Sequence, residues 1–512
     1  MSRTHRAFSS TVVVSVLGYA AQALSLVAIP LFLKTVGAEG YGLMVTVMAF
    51  MGYLTFADAG LSWGSLILVA QAKGRGDRAG IAHIVRHSAW LALGSGAVAA
   101  LVLGAILLAA RLGRPLPMFS THPEASGLLL IAGSGLVLNL QFGIVYNLLH
   151  GLQEGYIAGA YQGGARLLGL AGAMLAAWSL GRVDAMLLVQ VAVNCVVGLV
   201  ALAHAWRRHP WAFQRGPWRD RSQYDAQLRV GAKNLLLQIG RTLAGTAPTL
   251  IISSVLGPAW VPFYTVPLSL LSLFFAPITS WSASMQSAYG EAWESGARDW
   301  VRQTYRLTVE RAQLAGSLGV GLFLALGDRF IRWWTHDRIW LEPATALSIA
   351  AIALLGAWLA AGQFLLTGLN HHRQAAAAEV ANGLLALFLA WLGVRWWGLP
   401  GVGPGLVAAA LLTSVWVLQR EVRGRLGDGC LPAGFFFLKA AAAAAACTVA
   451  AVLTSAAWPP AAGWRVALDL AAAGTAGLVA FAGIGLGLRL FAAADARGWA
   501  LRLKEKLFLP IP

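Results

Sequence analysis

Charge is scarce in this sequence, and acid is scarcer than base. Asp, Glu, Lys and Arg make up only 12% of 512 residues, about half the share in soluble domains. The 21 acidic residues are outnumbered by 38 basic ones, for a net charge of +17. Cysteine is nearly absent: Cys195, Cys430 and Cys447 lie far apart, which excludes a disulfide framework and CxxC zinc spacing. The polar linkers that would divide a soluble chain of this length are missing. Catalytic motifs are missing as well. His83 and His87 are four residues apart without a surrounding HExxH, His371-His372 lies in a basic turn, and Gly401, Gly403 and Gly405 do not form GxGxxG. No catalytic residue, metal site or cofactor is therefore expected.

What the sequence has is apolar length. Hydrophobic residues reach 58%, gathered in runs long enough to cross a hydrocarbon core of about 30 Å. The runs predict an all-α, polytopic membrane protein of about 14 transmembrane helices. Their expected positions are 9–33, 42–70, 88–110, 127–150, 157–180, 185–205, 234–256, 260–283, 312–327, 343–366, 378–398, 402–420, 434–456 and 465–489. The ninth is short and is expected to begin earlier, near Thr308. A Gly/Pro-rich turn at 398–405 divides the eleventh from the twelfth. The first run, preceded by Arg3 and Arg6, is too long for a signal-peptide core and is read as an uncleaved span.

The basic residues orient the chain and carry no nucleic-acid signal. With both termini cytoplasmic, 27 of the 38 Lys and Arg fall in cytoplasmic segments and nine outside; Arg166 and Arg241 lie within spans. The longest cytoplasmic loop, 206–233, interleaves Trp and Arg as a membrane face near anionic headgroups does. It divides the chain into six spans, six spans and a final pair, with expected domains 1–226, 227–426 and 427–512. Short turns beginning at Gly37 and Gly257 follow spans one and seven. Their interval fits a duplicated six-span lobe.

Polar residues inside spans are costly, so their positions carry information. Span seven has Asn234, Gln238, Arg241, Thr242, Gly245, Thr246, Thr249 and Ser253, at steps of three or four that share a helix face. Span one carries Thr11, Ser15, Tyr19, Gln22 and Ser25; span four carries Asn139, Gly143, Tyr146, Asn147 and His150. These stripes suggest a water-filled cavity between two lobes; helix–helix hydrogen bonding is the alternative. Arg241 lies about 10 Å into its span at 1.5 Å per residue. It reads as a cation for an anionic substrate, or as an interfacial residue that snorkels to the cytoplasmic face. Arg166 has the same two readings. Asp58 is the only clearly central acid in this reading. It is a candidate ion-coupling residue for H+ or Na+, or the cap of a helix break near Gly60. The last two spans are nearly free of polar stripes and are expected to pack outside the bundle.

Two stretches carry a resemblance. Leu33-Lys34-Thr35-Val36-Gly37-Ala38-Glu39-Gly40-Tyr41-Gly42-Leu43 resembles the turn between helices one and two of bacterial polysaccharide flippases, members of the multidrug/oligosaccharidyl-lipid/polysaccharide exporter superfamily. Ala57-Asp58-Ala59-Gly60-Leu61 is similar to that family's Asp-x-Gly-Leu pattern in helix two. The span layout extends the resemblance over nearly the whole chain. It implies two six-helix lobes around a central cationic cavity plus a C-terminal helix pair, working by alternating access in the bacterial cytoplasmic (inner) membrane. It implies a polyprenyl-diphosphate-linked oligosaccharide as substrate and, as partners, membrane lipids, a polysaccharide polymerase and a chain-length regulator. One departure stands out: many relatives have an Asp in helix seven, where this chain has Thr246-Ala247-Pro248-Thr249.

Two other functions compete. A multidrug exporter of the same superfamily would use a cavity acid for cationic drugs, and Asp58 is the one candidate. A membrane-bound glycosyltransferase or polymerase would need a long outside loop bearing acids or His, and the largest outside loops, 111–126 and 328–342, are short.

Overall fold

The computed structural model describes residues 3–58, 61–114, 116–214, 221–370, 373–427, 429–432, 434–456 and 465–488, with the side chains at 3–15, 61–63, 221–234, 287 and 434–435 left aside. Thr11, Ser15, Gly60, Asn234, His371-His372, the loop at 215–220 and the basic tail beyond 488 thus fall outside the described residues or side chains. Among the described residues every regular element is helical. The α-helices are α1 (Arg3–Thr35), α2 (Gly37–Leu54), α3 (Leu61–Gly74), α4 (Arg78–Arg111), α5 (Ala125–Gly151), α6 (Gly155–Leu180), α7 (Val183–Arg208) and α8 (Arg221–Val255). They continue as α9 (Val261–Glu294), α10 (Arg298–Thr335), α11 (Pro343–Gly368), α12 (Arg373–Trp397), α13 (Val402–Leu412), α14 (Ser414–Leu426), α15 (Gly434–Ala456) and α16 (Arg465–Gly487). Among the described residues fourteen segments are long and apolar enough to cross a membrane, so the chain is a multi-pass membrane protein of the expected span number.

The differences from expectation are local. The second run is not one helix. A 3-10 turn at Thr55–Asp58 separates α2 from α3. The ninth span is far longer than its apolar centre, because α10 extends amphipathically at both ends to Arg298 and Thr335. A turn at Leu399–Gly401 divides α12 from α13 where the Gly/Pro cluster predicts it.

Packing divides the chain into two units: Met1–Thr265 with Arg373–Ser414, and Val266–His372 with Val415–Pro512. In the first unit α3, α4 and α5 meet in a cluster around Val69, Ile84, Val85 and Leu148. A neighbouring cluster joins α5, α6 and α7 through Phe142, Leu149, Ala158 and Ala201. The turns that follow α1 and α8 both begin in the left-handed region, with φ of 74° at Gly37 and 96° at Gly257. Only glycine enters that region without strain. The turns also touch: a Cβ on Gly42 would collide with the Pro258 carbonyl.

Two helix pairs are related in the same way. Gly163 of α6 lies against Leu17 of α1, and Gly181, just past α6, against the Thr35 carbonyl. The numbering rises on both helices from one contact to the next, so α1 and α6 run parallel. In the other pair, Gly240 of α8 lies against Glu379 of α12, and Gly383 of α12 against Leu243 of α8. The numbering again rises on both, so this pair is parallel too. The sequence interval from Gly163 to Gly383 equals that from Gly37 to Gly257.

In the second unit α15 and α16 pack on α10 and on each other. Leu314, Ala440, Ala443, Cys447 and Phe481 form their common core. Arg329 of α10 holds the buried Asp469 of α16 at 2.9 Å. Leu438, Leu453 and Val479 point away from protein, as lipid-facing residues do.

Candidate substrate-binding site

α8 is the element that sequence patterning singles out, and it is packed on two sides. Thr242 and Thr246 face Gly52 of α2, their methyl carbons 3.5 and 3.3 Å from where a Cβ would stand. Gly240 and Leu243 face α12. The polar stripe is not uniform. Thr249 and Ser253 are buried. Gln238, Thr242 and Thr246 are half-buried, while Arg241 and Gly245, one turn apart, are exposed. Thr246 Oγ1 donates to the Thr242 carbonyl at 2.7 Å, which satisfies that hydroxyl within the helix. Arg241 is thus the accessible cation of the stripe.

The structure adds a residue that sequence reading missed. Glu379 of α12 is only 5% exposed, although it lies within a membrane-spanning helix. It packs where Gly240 lets the two backbones approach, and its charge acts on Arg241. Asp469 is a second acid within a span. Asp58 is therefore not the only acid within the spans, although Glu379 and Asp469 stand near the first turns of their helices. Glu379 escaped notice because it falls at the edge of an expected span, in an Ala-rich run beside Arg373. Asn382, one turn beyond Glu379, is also buried.

The remaining candidates lie elsewhere. Asp58 ends the 3-10 turn between α2 and α3 and is half-buried; that turn packs on α4 and α8. α6 begins at Gly155, which puts Arg166 at about 16 Å along the helix, near mid-membrane depth. It is exposed. The parallel register of α1 and α6 brings half-buried Gln22 to nearly the same depth as Arg166. Asn139 is exposed and Asn147 half-buried, both on α5, which packs on α2, α3, α4, α6 and α7. Five of the candidates thus form two groups, Gln238 and Arg241 on α8 with Asp58 on an adjoining turn, and Gln22 with Arg166 at matched depth on α1 and α6, while Asn139 and Asn147 stand apart on α5. Among the described residues no group of three His, Cys, Asp or Glu could hold a metal ion.

The sequence family described as "Polysaccharide biosynthesis protein" matches residues 8–283, more than half of the chain. The chain belongs to this family. No curated protein matches it by sequence. Solved structures share its fold. The lipid II flippase MurJ in an inward closed conformation aligns with a TM-score of 0.69 at 11% identity, covering 93% of this chain and 99% of that one. An inward-facing multidrug resistance MATE family transporter of the MOP superfamily aligns at 0.60 with 16% identity, over 80% and 96% of the two chains. A MOP superfamily transporter from Pyrococcus furiosus, whose binding pocket is described as reversed in polarity, aligns at 0.56 with 14% identity, over 83% and 96%. This member of the polysaccharide biosynthesis family thus has the fold of MOP superfamily transporters.

Proposed function

We propose that the chain is a flippase for a polyprenyl-diphosphate-linked oligosaccharide, moving it from the inner to the outer leaflet of the bacterial cytoplasmic membrane by alternating access. The observation that carries this reading is the accessible Arg241 on the half-buried polar face of α8. A diphosphate and a sugar chain cannot cross hydrocarbon unaided, whereas a polyprenyl tail can stay in lipid. Arg offers a bidentate fork for phosphate oxygens. Gln238, Gln22, Asn139 and Asn147 supply sugar-compatible hydrogen bonds, and Arg166 a second cation. With the interior negative, two phosphate charges moved outward gain roughly 4–5 kcal/mol at 100 mV. Both termini are cytoplasmic in this reading, and residues 1–226, 227–426 and 427–512 are its two lobes and peripheral pair. Asp58 is its candidate site for H+ or Na+, and a polymerase and a chain-length regulator are its partners in surface polysaccharide synthesis.

The test is export of surface polysaccharide in a strain lacking its own flippase, with protein level measured in parallel. Arg241→Ala and Arg241→Gln are expected to abolish export, and Arg241→Lys to retain part of it. Full export by the Ala and Gln variants would remove Arg241 from the site.

Glu379 favours a second reading, an ion-coupled multidrug exporter, because a buried acid is what a cationic drug needs. The adjacent Arg241 offsets that charge, so this reading comes second. Drug resistance conferred by the wild-type chain and lost in Glu379→Gln, with no polysaccharide phenotype, would reverse the order.

A further inference from the structure

The outer face of α7 carries a continuous stripe that none of the functional candidates uses. Val196, Leu199, Val200, Ala203, His204 and Arg207 follow one another at alternating steps of three and one, so they share one helix face over about 16 Å. Its first part is apolar and uncovered: Val196 is 60% exposed and Leu199 57%. Its last part is cationic. Val200, Ala203, His204, Arg207 and Arg208 line a cleft of about 490 Å³.

The cationic end is a built arrangement. Tyr161 Oη lies 2.7 Å from His204 Nδ1 and fixes the imidazole. With the phenol donating, Nε2–H of the ring is left to donate elsewhere. Arg208 gives Nε and Nη2 to Glu154 at 3.2 Å, so its Nη1 hydrogens are not used by that pair. His209 donates Nε2–H to the same carboxylate at 2.9 Å. Glu154 is thereby occupied by two partners. Arg207 is exposed and has no ion-pair partner among the described residues. The C-terminal end of a helix repels anions through its dipole, so any anion held here is held by these side chains.

We propose that this stripe binds one anionic phospholipid, its acyl chain along Val196–Val200 and its phosphate at Arg207, with Arg208 and His204 assisting. The charge of the cleft selects an anionic headgroup, and the apolar lead-in selects a lipid over a free phosphate. The site is separate from α8 and does not depend on the flippase reading.

The experiment is native mass spectrometry of the full-length protein in detergent, titrated with phosphatidylglycerol and, separately, with phosphatidylcholine. The wild type is expected to retain phosphatidylglycerol preferentially. Arg207→Gln is expected to weaken that binding about tenfold, the scale of one charge-assisted hydrogen bond, and Arg207→Lys to weaken it less. Arg111→Gln, which removes another exposed arginine, from the last turn of α4, is expected to leave it unchanged. Equal binding of the two lipids overturns the proposal. So does an Arg207→Gln protein that binds like wild type, or an equal loss in Arg111→Gln, which would reduce the effect to diffuse charge. Displacement of phosphatidylglycerol by a polyprenyl diphosphate at lower concentrations than by phosphatidylglycerol itself would reassign the cleft to the transported lipid.

Discussion

At the scale of residues, the decisive relation is that Arg241 and Glu379 share a site while differing in accessibility. Removing Arg241 takes away a positive charge that acts on the buried Glu379, and taking one partner from a buried charge pair costs up to about 3–5 kcal/mol. Loss of export in Arg241→Gln would then have two causes, a missing cation and a less stable protein. The Arg241→Gln/Glu379→Gln double variant separates them. It is expected to recover the melting temperature of the wild type without recovering export; recovery of export would make Arg241 a structural partner of Glu379 and nothing more. Glu379→Gln alone removes one negative charge that acts on Arg241. It is expected to bind a diphosphate lipid more tightly than wild type, and binding at wild-type strength would show that the pair does not set affinity. Glu154, outside the spans, gives a pH prediction. Burial pushes its carboxyl up, but the hydrogen bond from His209 and the charges of His209 and Arg208 outweigh this and hold it below the usual carboxylate range. A depressed carboxyl stabilises the fold at pH above its unfolded value of about 4.3 and loses that contribution as pH falls through the lower folded value. Melting temperature should therefore fall in this acid window, and fall less in Glu154→Gln, which should also start lower at pH 7. Parallel acid curves for the two proteins would count against the pairing.

At the scale of elements, hydropathy made most of the fold legible. The expected run 343–366 became Pro343–Gly368, and 157–180 became Gly155–Leu180, because a lipid-spanning helix must be apolar along its length. Features that depend on a neighbour were not legible. Nothing in 42–70 forces a turn at Thr55–Asp58 except Gly60 nearby, so the run read as one span. Asp469 stands alone in an apolar run, and only packing against α10 supplies its partner, Arg329. Of the candidate site, the α8 stripe was visible because its polar residues keep helical spacing, whereas Glu379 was not, since Arg241 is brought to it only by the crossing of two helices far apart in sequence. The glycines at the α8–α12 crossing give a test of the element itself. A Cβ on Gly383 would stand 2.5 Å from that of Leu243 and 3.0 Å from the Gly240 carbonyl. Gly383→Leu is therefore expected to part the helices, lowering the melting temperature and lowering export. Gly356→Leu, where nothing stands within 4 Å, is the control. Equal behaviour of the two variants would deny the crossing any special role.

At the scale of the whole molecule, the basic residues give the topology its test. A single cysteine at position 259 is expected to react with an impermeant thiol reagent in intact cells, and one at position 219 only after lysis. The reverse pattern would invert the chain in the membrane. The interval that carries Gly37 onto Gly257 also carries Gly163 onto Gly383, and with it one parallel helix pair onto the other. It does not carry the charge. The same shift places Ala21 against Arg241, and Gly159 against Glu379. The two halves thus repeat one turn and one helix pair and differ in charge. A tandem gene made from the first half alone would encode the parallel helix pair twice and this Arg–Glu pair not at all. One made from the second half would encode it twice, turning a one-sided charge pattern into a mirrored one.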